Sequence, residues 1–365
     1  MSNVEEKKPL TKKQKAARRR RNRKILLVVI ELLVLLILAA VLYMVSKVSK
    51  IEQDVTFKPE DIKVNDEISS ESMEIMEGYT SIALFGLDNR SNGNLSKGNS
   101  DVIIIASINN DTHEVKMLSV YRDSYLDIGD NTYRKCNSAY AKGGAEQAIN
   151  MLNTNLDLNI TDYVTVDFNA VVECVDLLGG VEVTITDEEA ILMYGYMDEI
   201  NKLTKRDSKY LPGAGTYNMD GVQACAFARI RATAGDDYKR TERQRTVIAA
   251  MVKKAQRSDL KTINSLIDTV FGDIKTSFSS TDLIALAAKV FDYKLGDTAG
   301  FPFAKNTMTL GSKGSCVIPC DLETNVIELH HFLYSEEDYV PTTTVKKNSR
   351  KIIEDTGYDN EDGYR

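Results

Sequence analysis

The residues of this sequence best suited to chemistry are arginines. Ala228-Arg229-Ile230-Arg231 is followed by Asp236-Asp237-Tyr238-Lys239-Arg240 and then by Arg243-Gln244-Arg245. From Arg229 to Arg245 six basic and three acidic residues give a local charge of +3, in a chain whose net charge is −7. So dense a cluster repels itself unless an anion lies among the guanidinium groups. Arginine is favoured where phosphate or carboxylate is held by paired, planar hydrogen bonds, so the cluster suggests a phosphate site. Arg229 and Arg231 are two apart, so an extended segment turns both to one face. On a helix predicted over Arg240–Ala255, Arg240, Arg243, Gln244 and Val247 share a face. Its first turn adds free N–H groups and the positive dipole end. The plainer reading is a solvated basic helix face.

Two other constellations accompany the arginines. Gly86-Leu87-Asp88-Asn89-Arg90 ends one predicted strand and Ser100-Asp101 begins the next, so Asp88 and Asp101 flank one end of a strand pair. Two carboxylates beside a phosphate suit a hard divalent cation such as Mg²⁺, although Asp-Asn also shapes ordinary turns. Ser119-Val120-Tyr121-Arg122-Asp123 closes a third strand and brings another Arg and Asp to the same sheet edge, where an exposed salt-bridged loop is the plainer reading. No GxSxG elbow, HExxH or P-loop is present, and the three histidines, His113, His330 and His331, argue against a His-based triad. A reaction here would rely on metal and arginine electrostatics acting on phosphate.

These residues need elements to hold them. Thr80–Leu87, Val102–Ile108 and Glu114–Val120 read as strands, with a hairpin at Asn109-Asn110-Asp111. Gly143–Leu156 reads as a helix and Tyr163–Phe168 as a strand. Asn169–Leu178 follows as a helix capped by Asn169 and stopped by Gly179-Gly180, and Val181–Ile185 is a further strand. Tyr194–Asn218 reads as a long polar stretch, Asp220–Phe227 as a helix. Beyond Asp259 come two amphipathic helices, Asp259–Val270 and Thr281–Phe291, then strand-like pieces at Gly300–Phe303 and Ser315–Ile318. Interleaved strands and helices imply a sheet with helices packed on it.

The 365 residues, 43% of them hydrophobic, allow one large domain or two small ones. Ile25–Val45 carries one charge, Glu31, in a run long enough for a helix to cross the bilayer core. Residues 1–24 carry +9 and residues 25–45 carry −1, which leaves −15 for residues 46–365. The basic block predicts a cytoplasmic N-terminus with everything after Val45 outside. Such a block also suits nucleic acid, but directly before a spanning helix it acts as a topology determinant, and no nucleic-acid partner is expected. Five cysteines is an odd number, and no spacing suggests zinc. Cys316 and Cys320 stand ~13 Å apart if the chain between them is extended, and within disulfide reach only if it turns at Pro319.

The motifs GLDNR, SD, SVYRD, KCNSAYAKGG, FNAVVECVDLLGGVEV and ARIRATAGDDYKRTERQR, in that order, resemble the LytR-CpsA-Psr family over about Thr80 to Lys254. The resemblance implies an α/β/α sandwich with a central mixed sheet, preceded by one N-terminal transmembrane helix. It implies transfer of a glycopolymer from a polyprenyl-pyrophosphate carrier to peptidoglycan. The rival readings are a pyrophosphatase and a non-catalytic envelope sensor. Carried over by motif, Asp88 and Asp101 match metal-associated aspartates for Mg²⁺ or Mn²⁺. Arg90, Arg122, Arg229, Arg231, Arg240, Arg243 and Gln244 match pyrophosphate-binding groups, with Arg122 and Arg240 also catalytic. Asp123 matches a catalytic group that holds or activates the acceptor, and Asp237 the catalytic acidic member of the last motif, with Asp236 the alternative. Val120-Tyr121 stands where many members have Ile-Pro. A lipid tunnel between sheet and helices is expected to be lined by Val171, Val175 and Leu178. The expected division is a basic segment 1–24, a spanning helix 25–45, a spacer 46–79, a catalytic domain 80–256, an extension 257–340 and a disordered tail 341–365.

Overall fold

The computed structural model describes residues 52–53, 57–87, 95–96, 98–231, 236–259, 261–263, 265–266 and 274–364. The basic segment, the apolar run 25–45 and the residues Asp88 and Arg90 lie outside these, as do the side chains of Asp236 and Asp237. Among the described residues no helix is long and apolar enough to cross a membrane.

The strands are β1 (Glu52–Gln53), β2 (Tyr79–Leu87), β3 (Ser100–Asn109), β4 (Glu114–Val120), β5 (Tyr125–Asp127), β6 (Tyr133–Lys135), β7 (Asp162–Val166), β8 (Val181–Ile185), β9 (Gly215–Met219), β10 (Ile274–Thr276), β11 (Lys294–Phe301), β12 (Lys305–Thr309) and β13 (Ser315–Pro319). The main helices are α1 (Ser70–Glu77), α2 (Ser138–Leu156), α3 (Phe168–Leu177), α4 (Asp187–Thr204), α5 (Gly221–Arg229), α6 (Asp236–Ala255), α7 (Ser280–Ala288), α8 (Leu322–Tyr334) and α9 (Thr343–Thr356). The central sheet runs β1-β10-β7-β2-β3-β4-β11. β2, β3 and β4 pair antiparallel, while β7 joins β2 and β11 joins β4 in parallel. The sheet is therefore mixed.

Strand alternation gives the sheet two different faces. Ala83, Phe85 and Leu87 of β2, with Ile103, Ile105, Leu118 and Tyr163, enter one core beneath α2, α8 and α9. Leu84 and Gly86 of β2, with Val102, Ile104 and Val164, face α3, α5 and α6 across a cavity. Farther along that second face Ile82 packs on Leu283 of α7. Helices cover both faces, which is the α/β/α sandwich expected. A second core joins α3, α4, α5, the antiparallel pair β8–β9 and Val247 of α6.

Several boundaries differ from the sequence reading. α3 is capped by Asp167, whose carboxylate accepts from Ala170 N–H at 3.0 Å, two residues earlier than the Asn169 cap expected. The backbone leaves helical geometry at Gly143 and Gly144, so α2 is interrupted there; Gly144 has φ 67°, a conformation that favours glycine. Much of Tyr194–Asn218, expected as a polar stretch, belongs to α4, which buries Met193, Met197 and Ile200. No disulfide joins Cys316 to Cys320. Both are free and buried, and β13 stays extended, with Cys316 opposite Met308.

The expected domain division also changes. β10 and β11 are strands of the central sheet, so the segment from residue 257 completes the domain that was expected to end at 256. Ile68 and Met76, within the expected spacer, are buried in the first core. The expected disordered tail forms α9. Thr342 caps it, accepting from Val345 N–H at 3.3 Å, while its own N–H and hydroxyl donate to the Asp157 carboxylate at 2.9 and 2.7 Å. Val345 and Ile352, seven residues apart on one face, are fully buried. Low average hydrophobicity concealed this short apolar stripe. Ile352→Ala is expected to cost about 2–5 kcal/mol in chemical denaturation, whereas a disordered tail would show no loss.

Candidate active site

The site forms where the second sheet face meets α3, α5 and α6. Between them lies a cavity of about 260 Å³, walled by apolar side chains that include Leu84, Val166, Val171, Val247 and Met251. Arg229, Gln244 and Asp167 are the polar residues among those lining it. Val171 lines the cavity as expected, and Cys174, one turn on, lines it too. Val175 instead packs into the second core, and Leu178 lies past the end of α3.

Local sequence explains how Arg229 reaches this place. Asp220 and Gln223 form a capping box that starts α5. At Gly221 a Cβ would lie 2.1 Å from the carbonyl oxygen of Val172, so glycine alone allows α5 to approach α3 so closely. The helix continues through Arg229, which is therefore helical and not on the extended segment expected for Arg229 and Arg231. The Arg229 guanidinium stands 4.5 Å from the Phe168 ring centroid and 5.4 Å from that of Tyr196, and donates to Glu199 at 3.1 Å. Arg231 is half-buried beyond the end of α5.

The helical face expected on α6 is present. Arg240, Arg243, Gln244 and Val247 are all buried, Arg240 and Arg243 being 3% and 5% exposed. Arg243 donates through Nε to Glu189 at 2.8 Å and through Nη1 to the Ile230 carbonyl at 3.3 Å. Gln244 Oε1 is buried and accepts no hydrogen bond among the described residues. Glu189 and Glu199 both come from α4, whose capping box of Thr186 and Glu189 fixes its start. The sequence reading missed both glutamates because it missed the helix. Thr186-Asp187-Glu188-Glu189 before the spacing of Met193, Met197 and Ile200 was the available signal.

The third arginine group lies at the adjoining strand ends. Arg122 Nη1 donates to Asp101 Oδ1 at 2.6 Å, and Nε lies 3.8 Å from Asp123 Oδ2. Lys135 Nζ lies 3.1 Å from Asp123 Oδ1. These side chains are partly exposed, and Asp101, at 25%, is the more open of the two carboxylates. The structure thus joins Asp101, Arg122 and Asp123 as the sequence spacing suggested, while the positions of Asp88 and Arg90 and the carboxylate of Asp237 lie outside the described residues. Among the described residues no three His, Cys, Asp or Glu side chains converge as a metal site. Mg²⁺, however, is commonly held by one or two carboxylates together with substrate phosphate and water. A partly open Asp101 beside Arg122 fits that mode.

Residues 38–297 match the LytR_cpsA_psr family. The chain belongs to this family. Two curated relatives within reach of the LytR_cpsA_psr match are a polyisoprenyl-teichoic acid–peptidoglycan teichoic acid transferase TagU of Enterococcus faecalis and a transferase of the same description, TagT, of Bacillus subtilis. Each is 31% identical, over 59% and 56% of this chain. The aligned region spans 65% and 62% of the length of those relatives. A solved structure of TagT bound to LI-WTA superposes with a TM-score of 0.52 at 22% identity, covering 78% of this chain and 92% of that one. This similarity supports the LytR_cpsA_psr fold seen here.

Two outcomes follow from this geometry. Arg243 and Glu189 form a largely buried pair, so Arg243→Ala or Glu189→Ala alone should cost about 3 kcal/mol in thermal or urea denaturation. The double variant should cost less than the sum of the two. Burial pushes the Cys174 thiol up to about 11, which leaves little thiolate at pH 8. Iodoacetamide should therefore modify Cys174 on the order of 100-fold more slowly than free cysteine at that pH, as read by mass spectrometry.

Proposed function

We propose that this protein transfers a glycopolymer, with its linking phosphate, from a polyprenyl-pyrophosphate carrier to peptidoglycan during bacterial envelope assembly. One observation carries the reading: an apolar cavity whose lining includes Arg229 and Gln244, with Arg240 and Arg243 on the same face of α6 as Gln244. An amphiphile with an apolar chain and an anionic head matches that arrangement, because apolar walls favour the chain and guanidinium groups favour the phosphates. The names of the curated relatives support a glycopolymer of the teichoic acid class and peptidoglycan as acceptor.

In this reading an acceptor hydroxyl attacks the phosphorus bonded to the sugar. A new P–O bond forms, the bridging P–O bond breaks, and polyprenyl phosphate leaves. Arg240 and Arg122, with Arg90, Arg229, Arg231, Arg243 and Gln244 as further pyrophosphate contacts, stabilise the charge gathering on the phosphate oxygens. Asp123, held by Lys135 and near Arg122, orients the acceptor hydroxyl, and Asp237 is the further acidic group of the same motif. Asp101, together with Asp88, would hold Mg²⁺ or Mn²⁺, which when bound would neutralise part of the pyrophosphate charge. The apolar run 25–45 would anchor the chain in the membrane that holds the donor, N-terminus cytoplasmic and catalytic domain outside. Donor and acceptor held together there gain the advantage of proximity.

The test uses the full chain in detergent with a polyprenyl-pyrophosphate sugar donor, peptidoglycan oligomers and Mg²⁺, with products read by mass spectrometry. The expected product is a sugar-phosphate adduct on the glycan. Arg240→Ala should lower kcat by about 100-fold or more while the thermal transition persists. Free sugar phosphate without adduct would assign a pyrophosphatase instead, and unaltered donor that still binds would assign a sensor.

A further inference from the structure

Two segments of the site carry a tyrosine beside a functional arginine. Tyr121 immediately precedes Arg122 at the end of β4, and Tyr238 lies in the first turn of α6, two residues before Arg240. Their rings meet edge to face, with centroids 4.6 Å apart. Tyr121 is buried, and at Gly300 a Cβ would lie 2.1 Å from its hydroxyl, so β11 closes against it on that side. This ring contact is a direct link between the strand end that holds Arg122 and the helix that holds Arg240.

A third tyrosine and a lysine complete the group. The hydroxyls of Tyr364 and Tyr238 are 3.0 Å apart in a hydrogen bond. Tyr364 is itself fixed by its backbone. Its N–H donates to the Lys305 carbonyl at 2.9 Å, and its carbonyl accepts from the Lys305 N–H at 3.0 Å. The next residue of β12 adds a further tie, Asn306 Nδ2 donating to the Asp362 carbonyl at 3.0 Å. Lys305 Nζ lies 5.9, 5.1 and 5.6 Å from the ring centroids of Tyr121, Tyr238 and Tyr364. Lys305 is only 8% exposed, and an ammonium attracts aromatic faces most strongly when water is kept away. Both Lys305 and Tyr364 lie beyond residue 297, where the family match ends.

We propose that Lys305 and Tyr364 are positioning residues: together they clamp Tyr238 against Tyr121 and so fix the spacing between the strand end that carries Arg122 and the helix turn that carries Arg240. Neither need touch the donor. Their effect on turnover rests on the transferase reading, whereas their effect on the first turn of α6 does not. The physical basis is geometric. Two guanidinium groups that act on one pyrophosphate must keep their separation, and a displacement of about 1 Å costs up to about 100-fold in rate.

The experiment compares the full chain with its Tyr364→Ala, Tyr364→Phe and Lys305→Met variants. Three quantities are read: kcat and KM for the lipid-linked donor, the thermal transition, and hydrogen–deuterium exchange across residues 236–245. Tyr364→Ala and Lys305→Met are expected to lower kcat by about 10-fold or more, with donor KM and the thermal transition little changed and faster exchange in the first turn of α6. Tyr364→Phe keeps the ring beside the ammonium and should recover most of the turnover. A concerted fall in kcat, donor affinity and thermal stability would assign a general role in folding and overturn the proposal. Unchanged exchange over residues 236–245 would also overturn it, whether or not any donor is turned over. If the unaltered protein transfers no donor, the transferase reading fails, and selectively faster exchange in that turn would still support the clamp.

Discussion

Placing guanidinium groups against an apolar cavity is the constraint on which this structure depends. Such a group loses its hydration, and the loss is costly unless a partner charge and hydrogen bonds replace the water. α4 supplies the partners. Glu199 reaches Arg229 and Glu189 reaches Arg243, and aromatic rings of Phe168, Tyr196 and Phe227 provide polarizable surfaces beside the same two arginines. The second core of β8, β9 and the helices around them holds α4 in register. In this sense an acidic helix, remote from any phosphate motif in the sequence, sets where the basic residues sit. The acidity of the folded part of the chain and its arginine cluster are therefore complementary.

The sheet divides two tasks between its faces. One face meets α2, α8 and α9 through a continuous set of large, fully buried side chains, including Phe85, Leu118, Tyr140 and Tyr163. The other is covered less closely and leaves the cavity. Rigid packing on the first face fixes β2, β3 and β4, and hence the strand ends that carry Asp101 and Arg122. An imperfectly filled second face can then be tolerated without loosening the site, because interiors transmit strain through close contact.

Much of this was legible in the sequence, and the failures have physical causes. The β-rich runs TSIALFGL and VIIIASI placed β2 within one residue and β3 within two of their observed ends, because β-branched and apolar residues suit a strand covered on both faces. The i, i+3, i+4, i+7 spacing of Arg240, Arg243, Gln244 and Val247 correctly placed them on one buried face of α6. The motif residues Asp101, Arg122 and Asp123 came together as neighbours. What could not be read was tertiary partnership. Glu189 and Glu199 look like ordinary surface residues of a helix until the arginines arrive from elsewhere in the chain. α9 was misread because its polarity suggested a solvated tail, whereas Asp157 and Thr342, far apart in sequence, fasten its start. The segments after residue 257 looked separable only because β10 and β11 pair with strands more than a hundred residues away.

The cavity under Gly86 and Val166 has a thermodynamic consequence of its own. A void lined by aliphatic side chains forgoes dispersion contacts that a fully packed core would make. Any hydrocarbon chain that enters it completes the interior, and by linkage the occupied fold is more resistant to unfolding than the empty one. A guest of this kind is for a time part of the hydrophobic core, and its departure returns the protein to a less stable state. Release of the guest is then opposed by the folding energy of its host, so the residence of an apolar chain and the firmness of the surrounding helices are two readings of a single equilibrium.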